Sequence, residues 1–201
     1  MLFRSHYFLI HQADLKENEI DLVKGYYFYF VYLASVSSFK KHSVIMSVIL
    51  DVSLNVVGSS DFSEHVMGVL NELGRHSTHE LQANSQEIMT KAYNVAFDHF
   101  KDQFFEYYQS FKARHDMIIE RKVQSRKFHY MRQIDRRNKE IAEINQSFVI
   151  SNEDRFRRNM LESQIKVKMQ ALNQSLEQIR DEKECIPVFE DPVFGGVFEV
   201  V

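Results

Sequence analysis

A run of basic side chains in the second half of the chain is the strongest chemical signal in the sequence. From Lys112 to Arg158 there are 13 Lys and Arg against 7 Asp and Glu, a net charge of +6. The rest of the chain has 12 basic against 21 acidic residues, or −9, so the two parts sum to the −3 of the whole. Such a density of cations suits contact with phosphate groups or with an acidic protein surface. The residues predicted to make this contact are Arg126, Lys127, Arg132, Arg136, Arg137, Arg155, Arg157 and Arg158.

No other arrangement of residues predicts a catalytic centre, a metal site or a bound cofactor. The six glycines form neither a GxxxxGK[ST] phosphate loop nor a GxGxxG or GxSxG pattern, which disfavours a nucleotide-hydrolysing enzyme. His76 and His79 fall in a predicted connection, where a solvated loop is favoured over a metal site. The three acidic residues just before Cys185 would raise the pKa of its thiol, which indicates a structural cysteine.

Most of the basic residues belong to one long predicted helix, from Ser85 to Gln146. This stretch contains no proline and no glycine, and at ~1.5 Å per residue it would reach ~90 Å. Its apolar residues are aromatic from Tyr93 to Phe111 and mainly aliphatic from Tyr130 to Phe148, and the stripe changes direction at Ile118–Val123. The aromatic half suits packing on a sheet, and the second half suits pairing with another helix.

A second helix is predicted to fold back along the first. Ser151 to Asp154 is a helix-start signal, and an apolar stripe at helical spacing runs from Leu161 to Ile179. Folding back from a turn near residues 147–151, this helix would end at about Lys183, opposite roughly Met117. The sequence therefore predicts a protruding antiparallel coiled-coil arm over residues 118–183.

The remaining segments predict a small, mainly antiparallel sheet packed by helices, and hence an α+β fold. Residues 1–117 together with 184–201 would form this globular body. A short helix should begin in a capping box of Asp61 and Glu64 and end at a left-handed Gly74. Pro187 and Pro192 exclude helix near the C-terminus. The predicted strands are Ser5–His11, Tyr26–Leu33, Val44–Leu50 and Val197–Val201.

The composition favours a cytoplasmic protein without a membrane partner. A single cysteine excludes a disulfide framework within the chain. The N-terminus lacks the pattern of a signal peptide, and no apolar run is long enough to span a bilayer.

The order of the predicted elements resembles a region of a known family. A strand with Gly25-Tyr26-Tyr27-Phe28 precedes one that ends in Ile49-Leu50-Asp51-Val52, and a charged helical hairpin precedes the final Gly195–Val201. This order resembles the C-terminal accessory region of bacterial Swi/Snf-type, RapA-like DNA translocases, including those of some antiviral defence systems. The resemblance covers nearly the whole chain through patterns rather than a diagnostic motif. It implies an accessory role beside an ATP-dependent DNA motor. Because the motor motifs are missing, the family's ATPase activity does not carry over to this chain.

Together these observations predict a non-catalytic interaction module rather than an enzyme. We expect an accessory part of a DNA-acting assembly of the helicase or translocase type, which contacts nucleic acid or a partner protein through the basic arm. The alternative is a structural or regulatory coiled-coil protein that binds a partner or dimerises without touching nucleic acid. The sequence leaves the identity of the partner and the oligomeric state open.

Overall fold

The chain folds as an α+β protein, as predicted. The computed structural model describes residues 5–38, 40–76, 85–147, 149, 151–189 and 192–201. Within these ranges, six strands form one mixed sheet and four helices accompany it. In chain order the elements are β1 (Ser5–Ile10), α1 (Gln12–Glu17), β2 (Gly25–Ser37), β3 (Lys41–Asp51), α2 (Ser60–Leu73), β4 (Arg75–His76), α3 (Ser85–Gln146), α4 (Asn152–Asp181), β5 (Ile186–Phe189) and β6 (Phe194–Val200).

The chain divides into two compact units. The first, which we call the sheet unit, comprises Met1–Ser110 and Ile186–Val201. The second, the hairpin unit, comprises Phe111–Cys185. Helix α3 belongs to the sheet unit as far as Ser110 and to the hairpin unit from Phe111 onward. The domain boundaries expected from the sequence, at 117/118 and 183/184, fall inside the hairpin unit, and the assignment of separate domains remains a prediction.

Strand β2 is the centre of the sheet. It pairs antiparallel with β3, β5 and β6, and the strand order is β3-β2-β6-β1-β4. Strands β1 and β6 are parallel neighbours, so segments near both ends of the chain lie side by side in one sheet. A strand with bulky residues on both faces must be covered on both sides. A central, covered position was predicted for Tyr26–Leu33, which lies within β2.

The two faces of β2 pack against different helices. On one face, the Tyr32 ring stacks on Phe100 of α3 with the ring centroids 4.2 Å apart, and Phe30 contacts Tyr93. The opposite face, which includes Tyr29, packs with buried residues of α1 and α2 in one apolar cluster. The prediction that the aromatic half of α3 packs on the sheet is therefore confirmed.

For both ends of α2, the predicted capping interaction was wrong. Ser59, rather than Asp61, caps the helix, because the Ser59 side chain accepts a hydrogen bond from the Phe62 backbone N–H. Gly74 is extended, with φ −66° and ψ 133°, instead of left-handed. A Cβ atom at Gly74 would lie 2.3 Å from the Leu70 carbonyl oxygen, so contact with the last turn of α2 itself accounts for the glycine.

Three elements were missed by the sequence analysis: α1, β5 and the two-residue strand β4, which lies in the predicted connection. Helix α1 lies in a mostly polar stretch for which no element was predicted. It buries only Leu15, so its sequence shows almost no apolar periodicity. Strand β5 includes Pro187, which cannot donate a backbone hydrogen bond, and among the described strands β5 pairs with β2 alone.

Two glycines provide a matched test of the packing of the sheet. A Cβ at Gly195 would lie 2.7 Å from Phe30 Cδ1 and 3.0 Å from the Tyr29 carbonyl oxygen. Gly195→Ala should therefore lower the free energy of unfolding by about 1–3 kcal/mol. A Cβ at Gly68 in α2 would meet nothing within 4 Å, so Gly68→Ala should raise the free energy of unfolding by about 0.5–1 kcal/mol. Urea unfolding followed by circular dichroism measures both, and a Gly195→Ala protein as stable as the parent would contradict this packing.

Candidate nucleic-acid interface

In the hairpin unit, α3 and α4 pack antiparallel through a narrow apolar seam. The buried residues recur at the spacing of a single helix face, so each helix contributes one stripe. The remaining surface of both helices is largely polar and exposed. The buried apolar residues of the seam are Ile119, Ile134 and Ile144 on α3 and Leu161, Leu172 and Ile179 on α4.

Polar contacts across the seam fix the antiparallel register. Partner numbers on α4 fall as those on α3 rise, as an antiparallel pair requires. The Arg137 Nε donates to the Gln164 Oε1 at 2.9 Å, and the His115 Nε2 donates to the Glu182 carbonyl oxygen at 2.8 Å. A third contact lies nearer the turn than these two: Arg157 Nη2 is 3.7 Å from Glu140 Oε2.

A reciprocal cap fixes the start of α4. The Ser151 hydroxyl accepts from the Asp154 backbone N–H at 3.1 Å, and the Asp154 carboxylate accepts from the Ser151 backbone N–H at 3.0 Å. Hydrogen bonds from the Ser151 side chain and backbone hold the pKa of Asp154 below its usual range. The predicted helix start is confirmed. Phe148, the last residue of the predicted apolar stripe of the first helix, lies outside the described residues.

The basic residues of α3 are concentrated on one side of the hairpin. Because a helix turns by about 100° per residue, Arg132 and Arg136 lie on the same flank of the seam as Lys122. Two contacts identify the matching flank of α4: Lys122 Nζ donates to Glu182 at 2.6 Å, and Arg157 approaches Glu140. We call this surface the basic side, and its cationic residues are Arg121, Lys122, Arg126, Arg132, Arg136, Lys139 and Arg157.

Basic residues greatly outnumber acidic ones in the part of α3 that carries the basic side. Between Arg121 and Lys139 the helix has eight Lys and Arg and one acidic residue, Asp135. This stretch is ~27 Å long, which corresponds to roughly eight base pairs of duplex DNA. Two carboxylates of the basic side, those of Glu140 and Glu182, are already in contact with basic side chains.

The basic side contains a recess of about 700 Å³. Arg121, Arg126 and His129 line it together with Lys122, over apolar groups that include Ile179. Among the described residues, Arg121 and Arg126 take part in none of the ion pairs. Their guanidinium groups are therefore available to an external anion, and each has a fork of donors that fits phosphate oxygens.

The eight residues predicted to contact a ligand do not all lie together. Arg126, Arg132, Arg136 and Arg157 lie on the basic side. They are exposed, and Arg136 and Arg157 both approach Glu140 at distances of 3.6 and 3.7 Å. Exposed ion pairs of this length are weak and do not prevent these side chains from contacting phosphate.

The other four predicted residues are placed differently. By the same helical geometry, Lys127 and Arg155 lie on the flank opposite the basic side. Arg137 is half-buried, and besides its bond to Gln164 it donates from Nη1 to the Gln133 carbonyl oxygen at 2.9 Å. Arg158 is also half-buried, with Nε 3.6 Å from Glu162 Oε1. Arg137 and Arg158 therefore contribute contacts within the hairpin unit.

Two residues of the recess were missed by the sequence analysis. Ser125 and His129 line it, and they follow Ile118 and Lys122 at the spacing i, i+4, i+7 and i+11. This spacing is visible in the sequence. A search limited to Lys and Arg overlooks it, because a serine and a histidine add no formal charge at neutral pH.

Neither of the other chemical candidates forms a site. Burial, and then the nearby carboxylate of Asp116, raise the pKa of the Cys185 thiol. The predicted direction is confirmed, although the charge responsible lies on α3 instead of just before the cysteine. The His76 ring packs on Phe8, and His79 lies outside the described residues. Within the described residues, no group of His, Cys, Asp and Glu is placed to hold a metal ion.

Comparison with known proteins gives no family for this chain. No protein-family model, curated protein or solved structure matches it. In the described part of the chain, none of the helices has a stretch apolar enough to cross a membrane.

Replacing two neighbouring arginines separates support of the hairpin from contact with a ligand. Arg137→Met removes the bonds to Gln164 and Gln133, and should destabilise the hairpin unit by about 1–2 kcal/mol. Arg136→Met, at an exposed position, should change stability by less than about 0.5 kcal/mol. Hydrogen exchange of the α4 amides near Gln164 measures this difference, and equal exchange in the two variants would contradict the structural assignment of Arg137.

Proposed function

We propose that the hairpin unit binds the phosphate backbone of nucleic acid, duplex DNA in particular. The observation that carries this proposal is the basic side, where exposed cationic residues follow one flank of a rigid helix for ~27 Å. Phosphates repeat regularly along a duplex, and a helix that presents Arg and Lys at i, i+4 intervals can neutralise several of them. Contacts of this kind position a protein without reading the base sequence.

The balance of charges favours a nucleic acid over an acidic protein. A protein surface offers a few carboxylates at irregular spacing, usually bordered by apolar residues that match those of its partner. Between Arg121 and Lys139, α3 carries eight Lys and Arg against one acidic residue. The recess with Arg121 and Arg126 adds a concave point at which one phosphate can be held by more than one guanidinium group.

We further propose that this binding serves a larger DNA-acting assembly and that the chain itself is not an enzyme. The resemblance to the accessory region of RapA-like translocases supports such an assembly, with ATP hydrolysis on a separate motor. The sequence has no phosphate-binding loop of the kind that a motor requires.

A salt series with matched double variants tests the proposal. Binding of a labelled DNA duplex to the full chain should weaken linearly in log Kd against log salt concentration, because counterions are released. Arg132→Gln with Arg136→Gln should lower affinity several-fold and reduce the salt slope by about 2. Fluorescence anisotropy at several salt concentrations gives both quantities.

The control removes the same charge from the opposite flank. Lys127→Gln with Arg155→Gln should leave the salt slope unchanged within about half a unit. Absence of binding at low salt would contradict the proposal, and so would equal losses in the two double variants. If duplex RNA bound more strongly than DNA, the proposal of phosphate binding would stand, but the proposal that DNA is the ligand would be overturned.

One further observation favours a second candidate function, contact with a partner protein. Helix α4 exposes a row of apolar residues away from its seam, with Phe156 74%, Met160 44% and Val167 58% exposed. Their spacing, i, i+4 and i+11, places them on one flank that suits a partner helix. Phe156→Ser with Val167→Ser should then abolish binding to the partner while leaving the salt slope of DNA binding unchanged, because neither substitution removes a charge. Unchanged capture of the partner by this variant would contradict the assignment.

A further inference from the structure

A second recess lies in the sheet unit, between helix α2 and the sheet. Its volume is about 650 Å³, within the usual range of small-molecule sites. Residues of β1, β2, β3, β4, β6 and α2 line it, so several packed elements form its walls. None of these residues belongs to the hairpin unit, and the recess is therefore independent of the proposed DNA contact.

Aromatic rings form much of the wall of this recess. Tyr29 is fully buried, and its ring contacts Phe8 with the centroids 6.0 Å apart and Phe194 with the centroids 6.4 Å apart. Gly196 is the residue of β6 paired with Tyr29, so no β6 side chain competes with the Tyr29 ring at that position. Aromatic faces carry negative electrostatic potential and attract cations that have left bulk water.

The Tyr29 hydroxyl has no hydrogen-bond partner among the described residues, although its side chain is fully buried. An unpaired buried hydroxyl is unfavourable. Burial raises the pKa of Tyr29, so the hydroxyl keeps its proton in neutral solution. The hydroxyl is thus an unsatisfied dipole behind the recess, and a bound cation would act on it through space without touching it.

The charge of the recess also favours a cationic ligand. Among the described residues that line it, Glu64 is the one Asp, Glu, Lys or Arg, and Glu64 forms no ion pair with a described residue. Its carboxylate is exposed at the rim of the recess. An aromatic wall beside a single carboxylate complements a positively charged organic group better than a neutral or anionic one.

Small residues leave space in the recess. Ser47 of β3 is buried in its floor, opposite Val31 of β2. Gly68 stands in the middle of α2 with a negative φ, and a Cβ there would meet nothing within 4 Å. Neither the backbone conformation nor a close neighbour requires a glycine at this point, where alanine would favour the helix.

We propose that this recess binds a small organic ammonium ion, such as a quaternary or alkylated amine. The cation would lie against the partly exposed rings of Phe8 and Phe194, with its charge directed toward Glu64. The apolar groups around the nitrogen would occupy the space beside Ser47 and Gly68.

Choline and its uncharged isostere 3,3-dimethyl-1-butanol test this proposal on the full chain. The two molecules have nearly the same shape, because a carbon replaces the nitrogen. Choline should bind at least about fivefold more tightly, since only the cation gains from the rings and from Glu64. Titration followed by amide NMR should show saturable shifts at Ser47 and Gly68, with potassium chloride matching the ionic strength. Equal affinity for the two molecules, no binding of choline, or shifts confined to other residues would overturn the proposal.

Two exposed carboxylates of α2 provide a matched pair of variants. Glu64→Gln should weaken choline binding about threefold or more and leave the isostere unaffected. Glu72→Gln, on the same helix but outside the recess, should leave both affinities unchanged. Choline binding that survives Glu64→Gln, or that falls equally in both variants, would overturn the role of Glu64. Both residues are exposed, so neither variant disturbs the core.

Discussion

The hairpin unit depends on a single narrow apolar seam. Two helices without further cover can bury only one stripe each, here three isoleucines on α3 and two leucines and an isoleucine on α4. Every other position must be compatible with water, and for that reason the unit can carry many charges. The register of the seam also decides which charges face the same way. Lys122, Arg132 and Arg136 lie together because the seam places them on one flank, and the same register places Lys127 on the other.

The elements that were predicted well are those with strong local signals. Helix α3 has the predicted bounds, Ser85 and Gln146, because over 62 residues neither proline nor glycine interrupts the periodicity. The fold class and the pairing of β2 with β3 follow from dense runs of β-branched and aromatic residues. Helix α1 has one buried residue and gave no comparable signal. The cap of α2 was misplaced because Ser59, Asp61 and Glu64 offer competing cap residues that local sequence does not rank.

The candidate site was only partly predictable, for a geometric reason. A count of charges identifies the basic stretch but does not say which arginines form bonds inside the hairpin. Arg136 and Arg137 are adjacent and alike in sequence, yet Arg137 faces Gln164 across the seam and Arg136 is exposed. The two recesses illustrate the same limit. One is cationic and lies on a helical hairpin, and the other is aromatic and acidic and lies on a sheet, where residues far apart in sequence meet.

The central claim is that nucleic acid binds to the basic side of the hairpin unit, and cross-linking from single positions tests it most directly. In a Cys185→Ser background, Ser125→Cys places a photo-reactive label beside the recess, and Asn138→Cys places it on the opposite flank of α3; both native side chains are exposed. We expect a DNA duplex to be cross-linked from position 125, with a yield that falls as salt rises, and position 138 to give little product. Equal yields from the two positions, or a higher yield from position 138, would contradict it.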